Sequence, residues 1–330
     1  MTDTNPWKVV TIDEFKTPSA PTVTRVHQRW QRVLRLFSRQ ESEPEEEKIN
    51  DEELSDNSKF NRKPAVAALD HYFEEWLQKK EKTVYFLLDP PFSGTADIAR
   101  DWAKQKKWKL VIPPDINEIM TVDIDSWWKK QHIKGKWLID DLAVYLVRTA
   151  DGLSFIRALL SHMLHGDFGQ GLITCDSWMF EFIQRIWQSR LPKVYCFDAA
   201  GVELLKRAGI RASDNSLRKL AARVRGNLGV AIAVWLLEKN KDRKLPSLPN
   251  DANDLTAFVL YSILLHRSLN VDLLKDILSM FSYEKLNAQL LRLEQFGILQ
   301  YKDDQWQIDI VAYPAVRDFL SSRDFLIDAF

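Results

Sequence analysis

The pattern of apolar and polar positions divides the chain near residue 63. Beyond that point, Ala65–Lys79 places Ala68, Leu69, Tyr72, Phe73 and Trp76 along one side at helical spacing, which predicts a helix. Five short apolar runs follow: Val84–Leu88, Leu110–Ile112, Trp137–Ile139, Leu172–Cys175 and Val194–Phe197. Helical or loop segments separate them, and this alternation predicts an α/β fold with a parallel sheet covered on both faces. After Leu204 the strand signals stop. Leu217–Val224 and Val230–Lys239 read as helices, and Lys239–Asn250 as a charged linker containing proline. Leu255–Arg267, Val271–Phe281 and Tyr283–Phe296 read as three further helices, the first two joined at Ser268–Asn270 and the third stopped by Gly297. Ile298–Tyr301 and Trp306–Ile310, around the turn Lys302–Asp304, complete the chain as a two-stranded hairpin.

Residues 1–62 show a different pattern. A short mixed stretch, Asn5–Lys16, leads into a loop with two prolines, Thr17–Thr22. At about 23–38, Val23, Val26, Trp30, Val33, Leu34 and Phe37 recur at helical spacing, flanked by Arg25, Arg29, Arg32, Arg35 and Arg39. Acids dominate Glu41–Asp56, which has too little apolar surface to order a core. The expectation is a largely disordered arm carrying one conditional helix, with Trp7, Val26, Trp30, Val33, Leu34 and Phe37 as candidate partner-binding residues. That helix could dock on a partner protein, fold back on its own domain, or lie on an anionic membrane. The acidic run beside it would be repelled by anionic lipid, which favours protein.

Composition narrows the classes. At 330 residues and 45% hydrophobic content, a sizeable core and more than one compact unit are expected. Lysine plus arginine number 46 and so do aspartate plus glutamate, which argues against a chain that holds nucleic acid by bulk charge. Cys175 and Cys196 cannot build a disulfide framework or a thiolate zinc site, so a reducing, cytoplasmic setting is expected. The longest apolar run, around Leu228–Leu237, is far short of the ~18 residues of a spanning helix. The start, MTDTNPWKVV, lacks the features of a secretory signal. His132, His162, His165 and His266 show no metal-binding spacing apart from the weak pair His162/His165, read as a helix end, and no metal is expected. No nucleophile-elbow pattern G-x-S-x-G is present. The twelve tryptophans are scattered, and packing accounts for them.

The first predicted strand runs into Asp89-Pro90-Pro91-Phe92-Ser93-Gly94-Thr95-Ala96 and then a helix. Strand, eight-residue loop, helix is the layout of a phosphate loop, G-x-x-x-x-G-K-[ST]. On that template Asp89 replaces the first glycine, Gly94 keeps the second, Thr95 stands for the lysine and Ala96 for the magnesium-binding hydroxyl. The chief compensation of triphosphate charge is thereby lost. Asp89 adds negative charge, Phe92 crowds the loop, and the helix N-terminus alone offers an anion only ~0.3–1 kcal/mol. Downstream, Trp137–Asp141 is an apolar strand ending in two acids, the form of a Walker B motif. Asp140 would orient magnesium and Asp141 would polarise water; alternatively Asp141 caps the segment Leu142–Val147.

This ordered series resembles the AAA+ and STAND branch of P-loop ATPases, origin-recognition-like prokaryotic members with a C-terminal winged helix above all, from about Pro64 to the end. D-P-P-F-S-G-T-A looks like a worn G-x-P-G-S-G-K-T, and Lys136–Asp141 falls at a suitable distance after it. Gly171–Ser177, with Asp176, falls where the family's sensor-1 strand ends. Gly226-Asn227-Leu228-Gly229-Val230-Ala231 resembles the lid turn G-N-P-x-x-A, with Leu228 in place of the proline. The resemblance implies a five-stranded parallel sheet ordered 5-1-4-3-2, a helical lid and ATP-driven assembly. Both nucleotide-contacting motifs have deteriorated, so a pseudo-ATPase is expected, without cofactor. ATP with magnesium would apply only to an active ATPase with a non-standard loop, the third reading.

The expected domains are thus the arm at 1–62, a degenerate ATPase core at 63–204, a lid and linker at 205–250, and a winged-helix unit at 251–330. On the third helix of that unit Glu284, Lys285, Arg292 and Glu294 offset one another, and the wing turn holds two aspartates. A groove-reading helix would show a basic face, so a protein-binding wing is favoured over DNA. The candidate nucleic-acid contact is the basic stretch Lys206, Arg207, Arg211, Arg218, Lys219 and Arg223, which otherwise serves as a solvated lid face. The expected function is a scaffold or regulatory subunit that binds partner proteins, such as an active ATPase or another subunit of a complex. The alternative is a nucleic-acid-binding regulator.

Overall fold

A computed structural model describes residues 5–19, 60–79, 82–121, 123–187, 191, 193–239, 245–325 and 328–330. Its centre is a six-stranded sheet made of β1 (Val9–Thr11), β2 (Val84–Asp89), β3 (Lys109–Leu110), β4 (Trp137–Ile139), β5 (Gly171–Asp176) and β6 (Val194–Phe197). The order across it is β1-β6-β2-β5-β4-β3. Strands β2 to β6 run parallel, and β1 is antiparallel to β6. The middle of the sheet is buried from both faces, as central parallel strands require: all six residues of β5 are buried, and Phe86, Leu87 and Leu88 of β2 have no exposed surface.

Helices fill the connections. They are α1 (Lys63–Tyr72), α2 (Glu74–Gln78), α3 (Thr95–Gln105), α4 (Ile116–Thr121), α5 (Ile124–Lys130), α6 (Ala150–His165) and α7 (Ser177–Trp187). The single helix expected at Ala65–Lys79 is two, broken at Phe73, whose backbone leaves helical geometry at φ −94°, ψ 7°. Phe73 is thereby free to lay its ring against Trp76, Tyr85 and Trp102, within 5.5–5.9 Å of each. Trp76 in turn stacks on Tyr85 at 4.1 Å. The tryptophans of this region therefore act as packing, and each contact of this kind is worth ~0.5–1.5 kcal/mol beyond burial.

The expected boundary at residue 62 is corrected at both ends of the arm. Val9, Val10 and Thr11 pair with Phe197, Cys196 and Tyr195, so the start of the chain belongs to the sheet. Trp7, read as a partner-binding residue, is buried against Phe60 and Phe197, with ring centroids at 5.7 and 5.0 Å. The physical reason is tertiary: three residues carry too little pattern to announce a strand, and this one exists only because β6 offers an edge. The conditional helix at 23–38, with Val26, Trp30, Val33, Leu34 and Phe37, lies outside the described residues.

The opposite edge of the sheet is closed differently. Beyond β3, Gln131 uses both ends of its amide on Ile112, accepting from the backbone N–H at 3.0 Å and donating to the carbonyl at 3.2 Å.

After the sheet come α8 (Val202–Arg207), α9 (Asp214–Arg223) and α10 (Leu228–Lys239), where a helical lid is expected. The last unit holds α11 (Asp254–His266), β7 (Ser268–Leu269), α12 (Val271–Ile277), α13 (Tyr283–Gln295), β8 (Leu299–Lys302), β9 (Gln305–Ile308) and α14 (Tyr313–Ser321). The joint expected at Ser268–Asn270 contains a strand: β7 pairs with β9, so the hairpin is a three-stranded antiparallel sheet ordered β7-β9-β8. No single helix among the described residues is long and apolar enough to cross a membrane.

One glycine of the core is required by a neighbour. A Cβ on Gly171 would fall 2.3 Å from the Trp137 indole. That indole cannot retreat, because it is fully buried and its Nε1 donates to the Phe168 carbonyl at 2.7 Å. Gly171→Ala is expected to cost ~1–3 kcal/mol through overpacking, read as a lower urea midpoint with an unchanged m-value.

Candidate functional site

The C-terminal ends of β2, β4 and β5 deliver Asp89, Asp141 and Asp176 to one place. Asp89 and Asp176 are buried, with 3% and 1% of their surface left, and Asp141 is half-buried, its side chain 16% exposed. Between them lies a residue that the sequence did not single out, Arg267, at the end of α11. Its Nη2 donates to Asp89 Oδ2, its Nε stands 3.0 Å from Asp141 Oδ2, and 3.7 Å from Asp176 Oδ2. Arg267 reaches in because its backbone turns to φ +63°, an unusual conformation for a side-chain-bearing residue.

The charges do not balance. Burial raises the pKa of Asp141 and raises that of Asp176 well above the ordinary range; Arg267 opposes the shift and Asp89 adds to it. Burial works against the Arg267 charge, yet Asp141, Asp89 and Asp176 together hold it protonated more firmly than usual. Asp176 Oδ1 accepts from the N–H groups of Trp178 and Met179, at 2.8 and 3.4 Å, but its Oδ2 has no hydrogen-bond partner among the described residues.

Asp140 does not join this cluster. Its carboxylate takes a 2.8 Å bond from Nε of Arg100, which also holds Asp97 at 2.8 Å. Asp141 accepts from the N–H of Ala143 at 2.9 Å, so it caps the 3-10 turn Leu142–Tyr145 as well as facing Arg267.

The loop between β2 and α3 satisfies itself. Ser93 donates to Asp89 Oδ1 at 2.7 Å, lies 2.8 Å from the Thr95 hydroxyl, and accepts from the Thr95 N–H at 3.2 Å. Thr95 and Ala96 are buried, at 3% and 8% exposure. Phe92 sits at φ +65° and turns its ring onto Tyr313 at 5.7 Å. Gly94, at φ +77°, has the Phe60 ring 3.3 Å from where a Cβ would be.

The lid turn presses on the same loop. Asn227 donates to the Pro91 carbonyl at 2.7 Å and accepts from the Val230 N–H at 3.1 Å, capping α10. A Cβ on Gly229 would come 1.8 Å from the Phe92 carbonyl oxygen, so only glycine permits this approach. Gly226, at φ +79°, accepts from the Ala200 N–H at 2.9 Å and fixes the turn.

Two spaces remain. One, of about 260 Å³, lies between the loop and the C-terminal unit, lined by Phe92, Gly94, Arg100, Leu264, Arg267 and Ile308 among others. The other, of about 50 Å³, is lined by Trp7, Phe15, Asn227, Tyr313 and Phe330 among others. Both fall below the ~300–1,000 Å³ usual for ligand pockets. Phe330 packs on Phe15 at 4.4 Å, and Arg225 donates to its carbonyl at 3.2 Å. Two residues earlier, Asp328 accepts from Ser177 Oγ and lies 3.3 Å from Arg317 Nη2.

These residues do not fit a magnesium–triphosphate group. The three loop-side acids would face phosphate oxygens, the lysine and hydroxyl of the motif are missing, and the cation present belongs to the protein. Among the described residues no group of histidine, cysteine or carboxylate side chains could hold a metal ion. His162 instead pairs with Asp167 at 2.9 Å.

Of the expected nucleic-acid residues, half are engaged with acids. Lys206 pairs with Asp214 at 2.6 Å, Arg207 with Glu203 at 3.2 Å and Arg223 with Glu238 at 2.8 Å. Arg211, Arg218 and Lys219 are exposed.

No protein-family model matches the sequence, and no curated protein matches it. Among solved structures, a Walker-type ATPase of Pyrococcus abyssi is similar at 14% identity and a TM-score of 0.34, over 78% of this chain and 96% of that one. Cdc6p from Pyrobaculum aerophilum is similar at 12% identity and 0.34, over 84% and 99%. A chain from the structure of Drosophila ORC bound to DNA is similar at 10% identity and 0.35, over 88% and 99%.

The site sets two expectations. Arg267→Ala leaves three acids without their cation and should cost on the order of 3 kcal/mol, the low end for breaking a buried pair, because the Arg267 side chain is a third exposed. Asp176→Asn keeps the capping oxygen and removes only the strained charge. Since Asp176 is raised, its contribution is lost as pH rises through its folded pKa, so the variant should match or exceed the parent at alkaline pH. Urea titrations across pH check both.

A further expectation concerns acid. Burial raises Asp328 to about 6, against Arg317, Ser177 and Arg225, so its contribution is complete below the ordinary carboxylate range of ~4 and is lost as pH rises through 6. Burial lowers His266 to about 4, so its contribution is present above the ordinary ~6.5 and lost as pH falls through 4. The two slopes oppose each other. Relative to the parent, Asp328→Asn should gain stability from pH 4 to 6.5 and His266→Gln should lose it, by chemical denaturation at each pH.

Proposed function

We propose that the chain is a catalytically silent relative of AAA+/STAND P-loop ATPases that works as a scaffold or regulatory subunit. Its C-terminal unit is read as a winged helix: helix, strand, two helices and a hairpin, in the order α11-β7-α12-α13-β8-β9. The five parallel strands, numbered among themselves, lie 5-1-4-3-2, with the worn loop after the first and the paired acids after the third. The arm and the winged helix are its partner-binding parts, and its partners are proteins, an active ATPase or another subunit of a complex.

The observation that carries this reading is Arg267. A working site presents acids to magnesium and a lysine to phosphate; here an arginine of the chain itself neutralises the acids. Asn227 and Gly229, at the turn that would sense nucleotide, instead hold the loop shut. All six cations of the basic stretch are exposed, but Lys206, Arg207 and Arg223 are held by neighbouring acids, and the nucleic-acid reading is supported less.

At 1 mM MgATP the chain should gain no more than about 0.4 kcal/mol of stability, the value for a Kd of 1 mM, and should show no turnover. Calorimetry, thermal shift and phosphate release measure this. Micromolar binding, or magnesium-dependent hydrolysis abolished by Asp140→Ala, would overturn the reading.

A further inference from the structure

The larger of the two spaces is lined by two arginines and three acids, Asp89, Asp97 and Asp176. Both arginines are already shared. Arg267 lies between Asp89 and Asp141, and Arg100 between Asp97 and Asp140. Arg62, the next cation outward, stands 3.0 Å from Asp97 and 3.0 Å from Asp101. Three guanidiniums therefore face six carboxylates once Asp176 is counted, so negative charge is formally in excess.

Asp176 is the carboxylate left over. It keeps 1% of its surface, and its Oδ1 is taken by two N–H groups of α7. Its Oδ2 has no hydrogen-bond partner among the described residues, and Nε of Arg267 stands 3.7 Å away, beyond hydrogen-bond reach. That Nε has no aligned acceptor either, but Asp141 Oδ2 lies 3.0 Å from it and meets its charge. Nothing comparable meets Asp176. A buried carboxylate oxygen without a donor is costly, so the site calls for a donor from outside the chain.

The remaining walls define the body of that partner. Phe92, Leu264 and Ile308 are apolar, the last two buried, and half-buried Gln307 stands beside Ile308. We propose that this space binds a small primary amine, its ammonium group donating to Asp176 Oδ2 and its short aliphatic stem lying against Phe92, Leu264 and Ile308. The volume of about 260 Å³ suits a few heavy atoms rather than a drug-sized ligand. A hard metal ion needs six or more oxygens, and no metal-holding group exists among the described residues. An anion would meet the excess of negative charge. The inference goes beyond the scaffold reading and does not rest on it. An amine seated there would touch the loop at Phe92, the sheet at Asp176 and the C-terminal unit at Leu264 and Ile308, and would hold the three together.

The test titrates the full chain with n-butylammonium chloride by calorimetry and thermal shift, at constant ionic strength and mildly alkaline pH, where the amine is still charged. Half-saturation should fall at ~1 mM or below. Ammonium chloride, which lacks the stem, and 1-butanol, which lacks the charge, should each bind at least ~10-fold more weakly, and butyrate not at all. Asp176→Asn keeps the oxygen that caps α7 and turns an amide N–H toward the ligand, so affinity should fall at least ~10-fold. Gln307→Phe narrows the space without changing any charge and should weaken binding as well. No binding by the parent, unchanged affinity in either variant, or equal binding of any comparison compound would overturn the proposal. MgATP titrated into the same preparation keeps the two readings apart, because its binding would sink catalytic silence and leave the amine result standing.

Discussion

One guanidinium set among three carboxylates, two of them buried, constrains everything around it. Arg267 comes from the end of α11, while Asp89, Asp141 and Asp176 come from the ends of three strands, so the contact ties the C-terminal unit to the sheet at its most electrostatically demanding point. A buried ion pair adds little net stability over a well-packed apolar contact, but losing one partner is expensive. The orientation of the C-terminal unit is therefore specified more strongly than its burial alone would require. Phe92 and Tyr313, Trp178 and Tyr313, and Ser177 and Asp328 all lie along the same seam and depend on that orientation.

The lid adds a second constraint from the other side. Where a nucleotide-responsive turn would need space to move, Asn227 bonds the loop carbonyl and Gly229 allows backbone to touch backbone. Loop, lid and C-terminal unit thus make a closed circuit of direct contacts. Any rearrangement at this end of the sheet would require those three parts to separate. Here each separation would expose a buried charge or an unpaired carbonyl, a cost of ~1–3 kcal/mol for each polar group.

Much of the sheet was legible because strands buried on both faces read as uninterrupted apolar runs, and Trp137–Ile139 and Val194–Phe197 needed no adjustment. Strand β1 was not, since three residues acquire strand character only from the edge of β6. Phe73 was hidden for a related reason: its helix break is set by the aromatic cluster beneath it. Within the site, Asp89, Thr95, Asp141 and Asp176 could be placed by spacing from the loop motif, and Gly226 and Asn227 by their turn. Their role could not be read so directly. Arg267 lies 178 residues from Asp89, and no local pattern marks a residue that enters a site through an unusual φ. Arg100 resembled any surface arginine on an amphipathic helix until Asp140 was found beside it. Trp7 shows the opposite error, an aromatic in a weakly patterned segment whose burial depends wholly on Phe60 and Phe197.

The clasp of Gln131 on Ile112 bears on how the chain behaves at high concentration. An open strand edge is a template on which identical chains can stack, and apolar edges are where aggregation begins. At the β3 border a side-chain amide occupies the backbone groups of Ile112, followed at once by Pro113 and Pro114, which supply no N–H. At the other border β1 is only three residues long. Among the described residues neither margin offers a run of backbone on which a foreign strand could zip. A chain with 45% apolar residues can therefore expose Leu110 and Ile112 at that margin without inviting its copies to polymerise there.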